Sequence, residues 1–343
     1  MTDFQRLPDV AGRALGGSVM YANDEFFAEA HNLITQAPAT HDPAAFGPRG
    51  KVYDGWETRR RRGEPGDDFV IVRLAAPAVL RGVVVDTGFF RGNHPPYASV
   101  AATTVLGYPS AEELHRARWR PLVEKAGLAG DTANAVPVSA PDQLATHLRL
   151  TIHPDGGVAR FRAHGEVVPD PRRLGGRVDL ASVLHGGLVE DCSNLFFSAP
   201  GNVLMPGRSV GMFDGWETAR RRDDGNDWLQ VRLGVPGVVR QVVLDTGHFV
   251  GNSPGSARLT DSDTGADLVP EARLQPDTAH HFAVRVETPA RRVRLDIYPD
   301  GGLSRLRVLG EVPEHARADL ARRWLGLLPE DVAAGVDRAE FFA

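Results

Sequence analysis

Ten residues, Tyr53-Asp54-Gly55-Trp56-Glu57-Thr58-Arg59-Arg60-Arg61-Arg62, return almost unchanged as Phe213-Asp214-Gly215-Trp216-Glu217-Thr218-Ala219-Arg220-Arg221-Arg222, an offset of 160 residues, from 53 to 213. Core packing alone rarely demands Asp, Trp, Glu and several arginines in fixed order twice. More motifs follow in step. Asp86-Thr87-Gly88 is answered by Asp245-Thr246-Gly247, Gly92-Asn93 by Gly251-Asn252, and Pro154-Asp155-Gly156-Gly157 by Pro299-Asp300-Gly301-Gly302. The chain is therefore a tandem duplication, which restricts it to architectures that can be built from two equal units. The offset shortens from 159 (68 to 227) to 145 (152 to 297), so the first copy carries about 14 extra residues. They fall within 103–136, where the Ala/Glu/Leu/Arg content around Ala111–Trp119 predicts a helix.

Within each copy the apolar runs are short and separated by Gly, Pro and Asp. Leu148, Leu150 and Ile152 alternate with Arg149 and Thr151, the period of a half-buried strand. Val83-Val84-Val85 is a continuous β-branched run suited to a strand buried on both faces. Many short strands punctuated by turns predict an all-β protein made of antiparallel sandwiches, with only short peripheral helices. The predicted boundaries are 18–168 for the first repeat, 169–187 for a Pro/Gly/Arg-rich linker, 188–313 for the second repeat and 314–343 for a helical segment. Asp179-Leu180-Ala181 and Asp319-Leu320-Ala321 read as equivalent segments following the two repeats.

Over 343 residues the net charge is −5, which gives no electrostatic footprint for nucleic acid or an anionic membrane. No apolar run approaches a membrane span. A lone cysteine, Cys192, rules out an intrachain disulfide framework and predicts a cytoplasmic protein. Serine-hydrolase elbows, phosphate-binding P-loops and dinucleotide fingerprints are missing from the sequence. What remains is the charged loop. Asp54, Gly55, Trp56 and Thr58 suit a structural turn, whereas Glu57 and the arginines suit a polar ligand, a guanidinium fork gripping a carboxylate better than lysine does.

The two copies also disagree at informative places: His94 against Ser253, Phe89 against His248, and His153 against Tyr298. Unequal histidines on equal scaffolds suggest proton-transfer groups, and with neighbouring acids they form a weak candidate for a divalent metal site. No cofactor is identified. The catalytic candidates are Glu57, His94, His153, Glu217 and His248. Those for substrate binding are Asp54, Arg59, Arg60, Asn93, Asp214, Arg220 and Asn252.

The doubled Asp-Gly-Trp-Glu-Thr loop, the doubled Asp-Thr-Gly and Pro-Asp-Gly-Gly turns, and Gly165-Glu166-Val167 with Gly310-Glu311-Val312 together resemble the allantoicase (allantoate amidinohydrolase) family from about Asn23 to Val312. The second copy departs from the first at Ala219, where the first has Arg59. The resemblance implies two jelly-roll lobes of the galactose-binding-like kind. It implies hydrolysis of allantoate to ureidoglycolate and urea, with that small molecule as the partner. A symmetric homo-oligomer is expected of such a hydrolase. The rival readings are a pair of sandwiches that only bind a carbohydrate or other small ligand, and a hydrolase of a related ureido acid.

Overall fold

The structure, a computed structural model, describes residues 3–342. It divides into two units: 3–166 with Leu327–Val336, and Val167–Gly326 with 337–342. Each is an antiparallel β-sandwich of jelly-roll type.

One strand of nineteen residues organises each unit: Asp68–Asp86 in the first lobe and Asp227–Asp245 in the second. In the first lobe its beginning lies in a five-stranded sheet, in the order Ser18–Ala22, Asp68–Asp86, Ala145–His153, Tyr97–Thr103, Arg120–Gly127. Its end, from Gly82 to Asp86, pairs instead with Ala133–Pro137, and Arg160–Val167 lies along it as well. The register breaks between Arg73 and Ala78, where the strand leaves one sheet for the other. Asp227–Asp245 repeats this, breaking register between Arg232 and Gly237.

The alternation read from the sequence defines the core. Leu148, Leu150 and Ile152 are fully buried, as are Val293, Leu295 and Ile297 in the second lobe. Val83, Val84 and Val85 are all at most 5 % exposed, as the unbroken run predicts. The extra residues of the first copy contain the helix Ala111–Arg116, whose N-terminus is closed by a reciprocal capping box between Ser110 and Glu113. The C-terminal helix Glu314–Leu327 buries Ala316, Leu320, Ala321 and Trp324, and Trp324 stacks on Phe341 at 4.9 Å. Among the described residues no helix is long and apolar enough to cross a membrane.

Residues 169–187 are not a free linker. Within them Arg177–Asp179 pairs with Arg305–Glu311, and Leu180, itself buried, donates its N–H to the Val308 carbonyl at 2.8 Å. The first lobe has the same edge before residue 18: Val10 donates to Ala163 O at 2.8 Å. Asp9 accepts from the N–H groups of Ala11 and Ala163, and Asp179 from those of Ala181 and Val308. The counterpart of Asp179-Leu180-Ala181 is thus Asp9-Val10-Ala11. Asp319-Leu320-Ala321 lies inside the C-terminal helix, so its likeness to Asp179-Leu180-Ala181 is a coincidence of sequence.

The same end of each sandwich is shaped by the Asp-Thr-Gly turn. Thr87 Oγ donates to Ala129 O at 2.6 Å and Thr246 Oγ to Gln275 O at 2.6 Å, halting the long strand. The chain then passes through a left-handed residue, Phe89 or His248, each with φ of 70°. Their N–H groups are held by the side chains of Asp131 and Asp277. Next comes a buried ring, Phe90 or Phe249. A Cβ on Gly157 would lie 2.1 Å from the Phe90 ring, and one on Gly302 1.9 Å from the Phe249 ring. Glycine is obligatory there because the backbone runs directly over an aromatic face.

Candidate active site

In the first lobe Trp56 is fully buried, and its indole N–H donates to Asp24 O at 2.7 Å. That anchor fixes the two-residue strand Trp56–Glu57, which pairs with Gly157–Val158. Glu57 follows the anchor and its side chain is only half-buried. Glu57 Oε1 accepts from Asn93 Nδ2 at 2.7 Å, while the Asn93 carbonyl accepts from Gly157 N–H at 2.8 Å. Arg60 donates to Asp155 Oδ1 at 2.8 Å and to Gly92 O at 3.4 Å. The second oxygen of Asp155, a residue 3 % exposed, accepts from Arg61 N–H at 2.7 Å. Three loops far apart in sequence are thereby tied into one acid–amide–guanidinium cluster. Burial pushes the Glu57 carboxyl above its ordinary range, opposed by the Asn93 hydrogen bond and by the charge of Arg60.

The second lobe repeats the acid–amide pair: Asn252 Nδ2 donates to Glu217 Oε1 at 2.5 Å, and Asn252 O accepts from Gly302 N–H at 2.8 Å. Asp300 accepts from Arg221 N–H at 2.8 Å, but among the described residues Arg220 has no hydrogen-bond or ion-pair partner.

The remaining predicted residues do not join these clusters. The Asp54 carboxylate accepts from the buried Arg160 at 2.8 Å and from Thr40 N–H at 2.9 Å. Burial works against its charge, yet these bonds prevail and hold its pKa below the ordinary value. Asp214 is gripped in the same way by Arg305 at 2.7 Å. Both aspartates lock their loops through these bonds. Arg59 is committed to Asp24 at 2.6 Å.

Each of the three predicted histidines has its own local partner. His94 Nδ1 lies 2.9 Å from Arg91 O, and His248 Nε2 lies 3.0 Å from Ser209 O. His153 sits between Ser99 Oγ at 2.9 Å and Asp67 at 2.8 Å. Among the described residues no three His, Cys, Asp or Glu side chains converge as metal ligands. The divalent site considered from the histidines is therefore not formed.

A family model described as the allantoicase repeat matches the chain twice, over residues 8–168 and 178–313. The chain belongs to the allantoicase family. It is 53 % identical to a probable allantoicase of Nocardia farcinica, over 90 % of this chain and 95 % of that protein. It is 48 % identical to one from Streptomyces coelicolor, over 93 % and 89 %. The crystal structure of the allantoicase of Saccharomyces cerevisiae is similar, with 35 % identity and a TM-score of 0.76 over 88 % of this chain and 92 % of that one.

In this allantoicase-family chain several other residues of the first lobe take on contacts that only the fold shows. Asp155 reads as a turn cap, although its carboxylate points into the structure toward Arg60 and Arg61. His41 stacks on Tyr53 at 5.2 Å and leans on Phe89 at 5.5 Å, its Nδ1 buried without a partner. A hairpin, Phe46–Gly47 paired with Gly50–Lys51, sets two cations against aromatic rings of this lobe. The Arg49 guanidinium lies 4.7 Å from the Phe26 ring, and the Lys51 ammonium 5.8 Å from the Tyr53 ring.

Among the described residues no lysine or arginine lies over an aromatic ring of the corresponding loop, 205–213, of the second lobe. Trp216 Nε1 donates to Asn194 O and Ala219 N–H to Asn194 Oδ1, matching the bonds of Trp56 and Arg59 to Asp24. By that match Asn194 and Ala219 replace the Asp24–Arg59 ion pair, Leu195 replaces Glu25, and Val250 replaces Arg91. The doubling of the motif disclosed Glu57 and Glu217 alike, and only the surroundings tell them apart.

Proposed function

We infer that this protein is an allantoicase, hydrolysing allantoate to (S)-ureidoglycolate and urea in the breakdown of purine-derived ureides, and that turnover occurs in the first lobe. The observation that carries the reading is the Glu57–Asn93–Arg60 cluster, in a chain whose relatives bear that name along nearly their whole length. Allantoate is a small carboxylate with two ureido groups on one carbon. Its charge calls for a cation, and its ureido groups for amide and carboxyl partners. Arg60 keeps 46 % of its side chain exposed, leaving N–H groups for the substrate carboxylate in a fork that lysine cannot supply. Asn93 spends its amide N–H on Glu57 and retains its side-chain oxygen for a ureido N–H.

One carboxyl suffices for the proton transfers. Protonated Glu57 donates to the nitrogen of the departing ureido group, the bond from the central carbon to that nitrogen breaks, and urea leaves with the electron pair. The lone pair of the remaining ureido nitrogen stabilises the cationic carbon. Water then adds to that carbon and returns a proton to Glu57, which ends as it began. Burial favours this cycle, because a carboxyl with a raised pKa is more readily protonated near neutral pH. The sole cysteine, Cys192, is a free thiol whose pKa burial pushes up, in keeping with a cytoplasmic location.

Incubation of the purified protein with allantoate, followed by a colour assay for urea, tests the reading. Equimolar urea and ureidoglycolate are expected. No urea at any pH, with or without added divalent metal, would leave a binding protein instead. Faster release from another ureido acid would transfer the activity to that compound.

A further inference from the structure

One loop beside the acid–amide pair is built to different lengths in the two lobes. Its feet match. Thr40 N–H donates to Asp54 Oδ2 at 2.9 Å and Val210 N–H to Asp214 Oδ2 at 3.1 Å, and each aspartate is gripped by a buried arginine, Arg160 or Arg305. The feet lie 14 positions apart in the first lobe and 4 in the second. In the second lobe Gly211, Met212 and Phe213 close the gap, and the Met212 sulfur accepts from Asn252 Nδ2 at 3.6 Å. That contact sets the loop against the same amide that donates to Glu217. In the first lobe His41 and Tyr53 take the places of Gly211 and Phe213, and they stack at 5.2 Å. Residues 42–52 therefore stand where the second lobe has Met212 alone.

The inserted residues hold their own shape. Val52 N–H donates to Ala45 O at 3.0 Å and Ala45 N–H to Asp42 O at 3.1 Å, beneath the paired Phe46–Gly47 and Gly50–Lys51. Gly50, with φ of 111°, lets the chain reverse. From this turn Arg49 donates to the Phe26 carbonyl, and its guanidinium lies 4.7 Å from the Phe26 ring. The next residue, Phe27, donates its N–H to the Glu57 backbone carbonyl at 3.1 Å. By the match with Met212 the hairpin rises from beside the Asn93 amide, and through Arg49 it ends on the segment that flanks Glu57. It thus spans the pair. It is thinly packed, with Phe46 71 % and Val52 49 % exposed, and a segment with so few buried contacts opens at low cost. On the reading that allantoate binds at Glu57, we propose that residues 42–52 are a lid over the Glu57–Asn93 pair, latched by Arg49 on Phe26, which opens to admit the ureido acid and closes to retain it. A closed lid shields the reaction from bulk water and slows the escape of a ligand too small and polar to be held by apolar burial. Three residues between the same two feet give the second lobe no slack for this motion.

Two changes in the full-length protein test the lid: replacement of residues 42–52 by a single methionine, which copies the second lobe, and Arg49→Ala, with Arg49→Lys beside it. The shortened loop is expected to raise KM for allantoate about tenfold or more, and Arg49→Ala about three- to tenfold, with kcat altered by less than about threefold in each. Arg49→Lys should recover most of the loss, because an ammonium can still meet the Phe26 carbonyl and ring. The second readout is proteolysis of Glu57→Gln, which binds substrate without turning it over. Saturating allantoate is expected to slow trypsin cleavage after Arg49 and Lys51 at least about fivefold, with cleavage after the exposed Arg220 unchanged. Wild-type KM in either well-folded lid variant would overturn the proposal. So would cleavage after Arg49 and Lys51 that stays unchanged while calorimetry shows allantoate bound. Failure of the wild type to release urea, together with no binding to Glu57→Gln, would instead overturn the allantoate reading, and the lid with it.

Discussion

Replacing Glu57 with Gln is expected to lower kcat for urea release by about 10²–10⁴-fold, the usual contribution of a positioned proton-transfer group. The equivalent change at Glu217 is expected to alter kcat by less than about threefold, its lobe being assigned no part in the chemistry. Glutamine preserves the shape of the side chain and can still meet the Asn93 amide through its carbonyl oxygen. The fold should therefore survive, and the lost function is the proton alone. Arg60 keeps its bond to Asp155, so substrate binding should suffer less than turnover and KM should move little. Burial raises the Glu57 pKa, so the donating form persists above the range of an exposed carboxylate and activity declines as pH rises through that raised value. The same limb should be missing from whatever activity Glu57→Gln retains. Steady-state kinetics across pH, with circular dichroism as the check on folding, measure all of this. Full activity in Glu57→Gln, or loss in Glu217→Gln instead, would move the chemistry elsewhere.

The second large effect is on stability. Trp56→Ala should destabilise the first lobe by about 3–5 kcal/mol, as expected for emptying a fully enclosed aromatic site. Trp56 is fully buried, and its loss also leaves the Asp24 carbonyl without the indole N–H. Collapse into the space is limited because the neighbouring strand Gly157–Val158 is held by pairing with Trp56–Glu57 and by the close approach of Phe90 to Gly157. By calorimetry the first-lobe transition should fall by roughly 10 °C while that of the second lobe stays in place. Trp216→Ala should do the reverse, since Trp216 is equally buried and bonded to Asn194 O. Unchanged melting in both variants would mean that the Asp-Gly-Trp-Glu loop is not an anchor.

Much of this arrangement is legible in the sequence because a duplicated chain writes its constraints twice. The strands are readable because Leu148, Leu150 and Ile152 alternate with polar neighbours and the sheet buries one face of them. Glu57, Asn93 and Arg60 stand out because polar residues recur in fixed order in both halves. The method fails where a residue's role depends on direction and not on identity. Asp155 looks like a turn cap, and only the folded chain turns its carboxylate toward arginines some 95 positions away. Asp54 fails in the opposite sense: its recurrence reflects the buried Arg160 that it neutralises, and Asp214 recurs for the same reason with Arg305.

Comparison between the halves is also blind to features that one half alone possesses. The hairpin of Phe46 to Lys51 and the ring of His41 belong to the first lobe only, so no repeat announces them. His94, His153 and His248 each make hydrogen bonds to separate partners, so the mismatches between the halves do not bring them together. Composition misled at 169–187, where Pro, Gly and Arg suggest a free linker; the Asp179 carboxylate and the burial of Leu180 hold that segment to the second sandwich.

The first lobe, where Arg60 stands beside Glu57 and Asn93, and not its twin, is expected to receive the small ureido acid. A crystal structure of the Glu57→Gln protein soaked with allantoate tests it most directly. Density for the substrate is predicted against Gln at position 57, Asn93 and Arg60, with its carboxylate on the guanidinium. Density confined to the Glu217–Asn252 pair would contradict the claim.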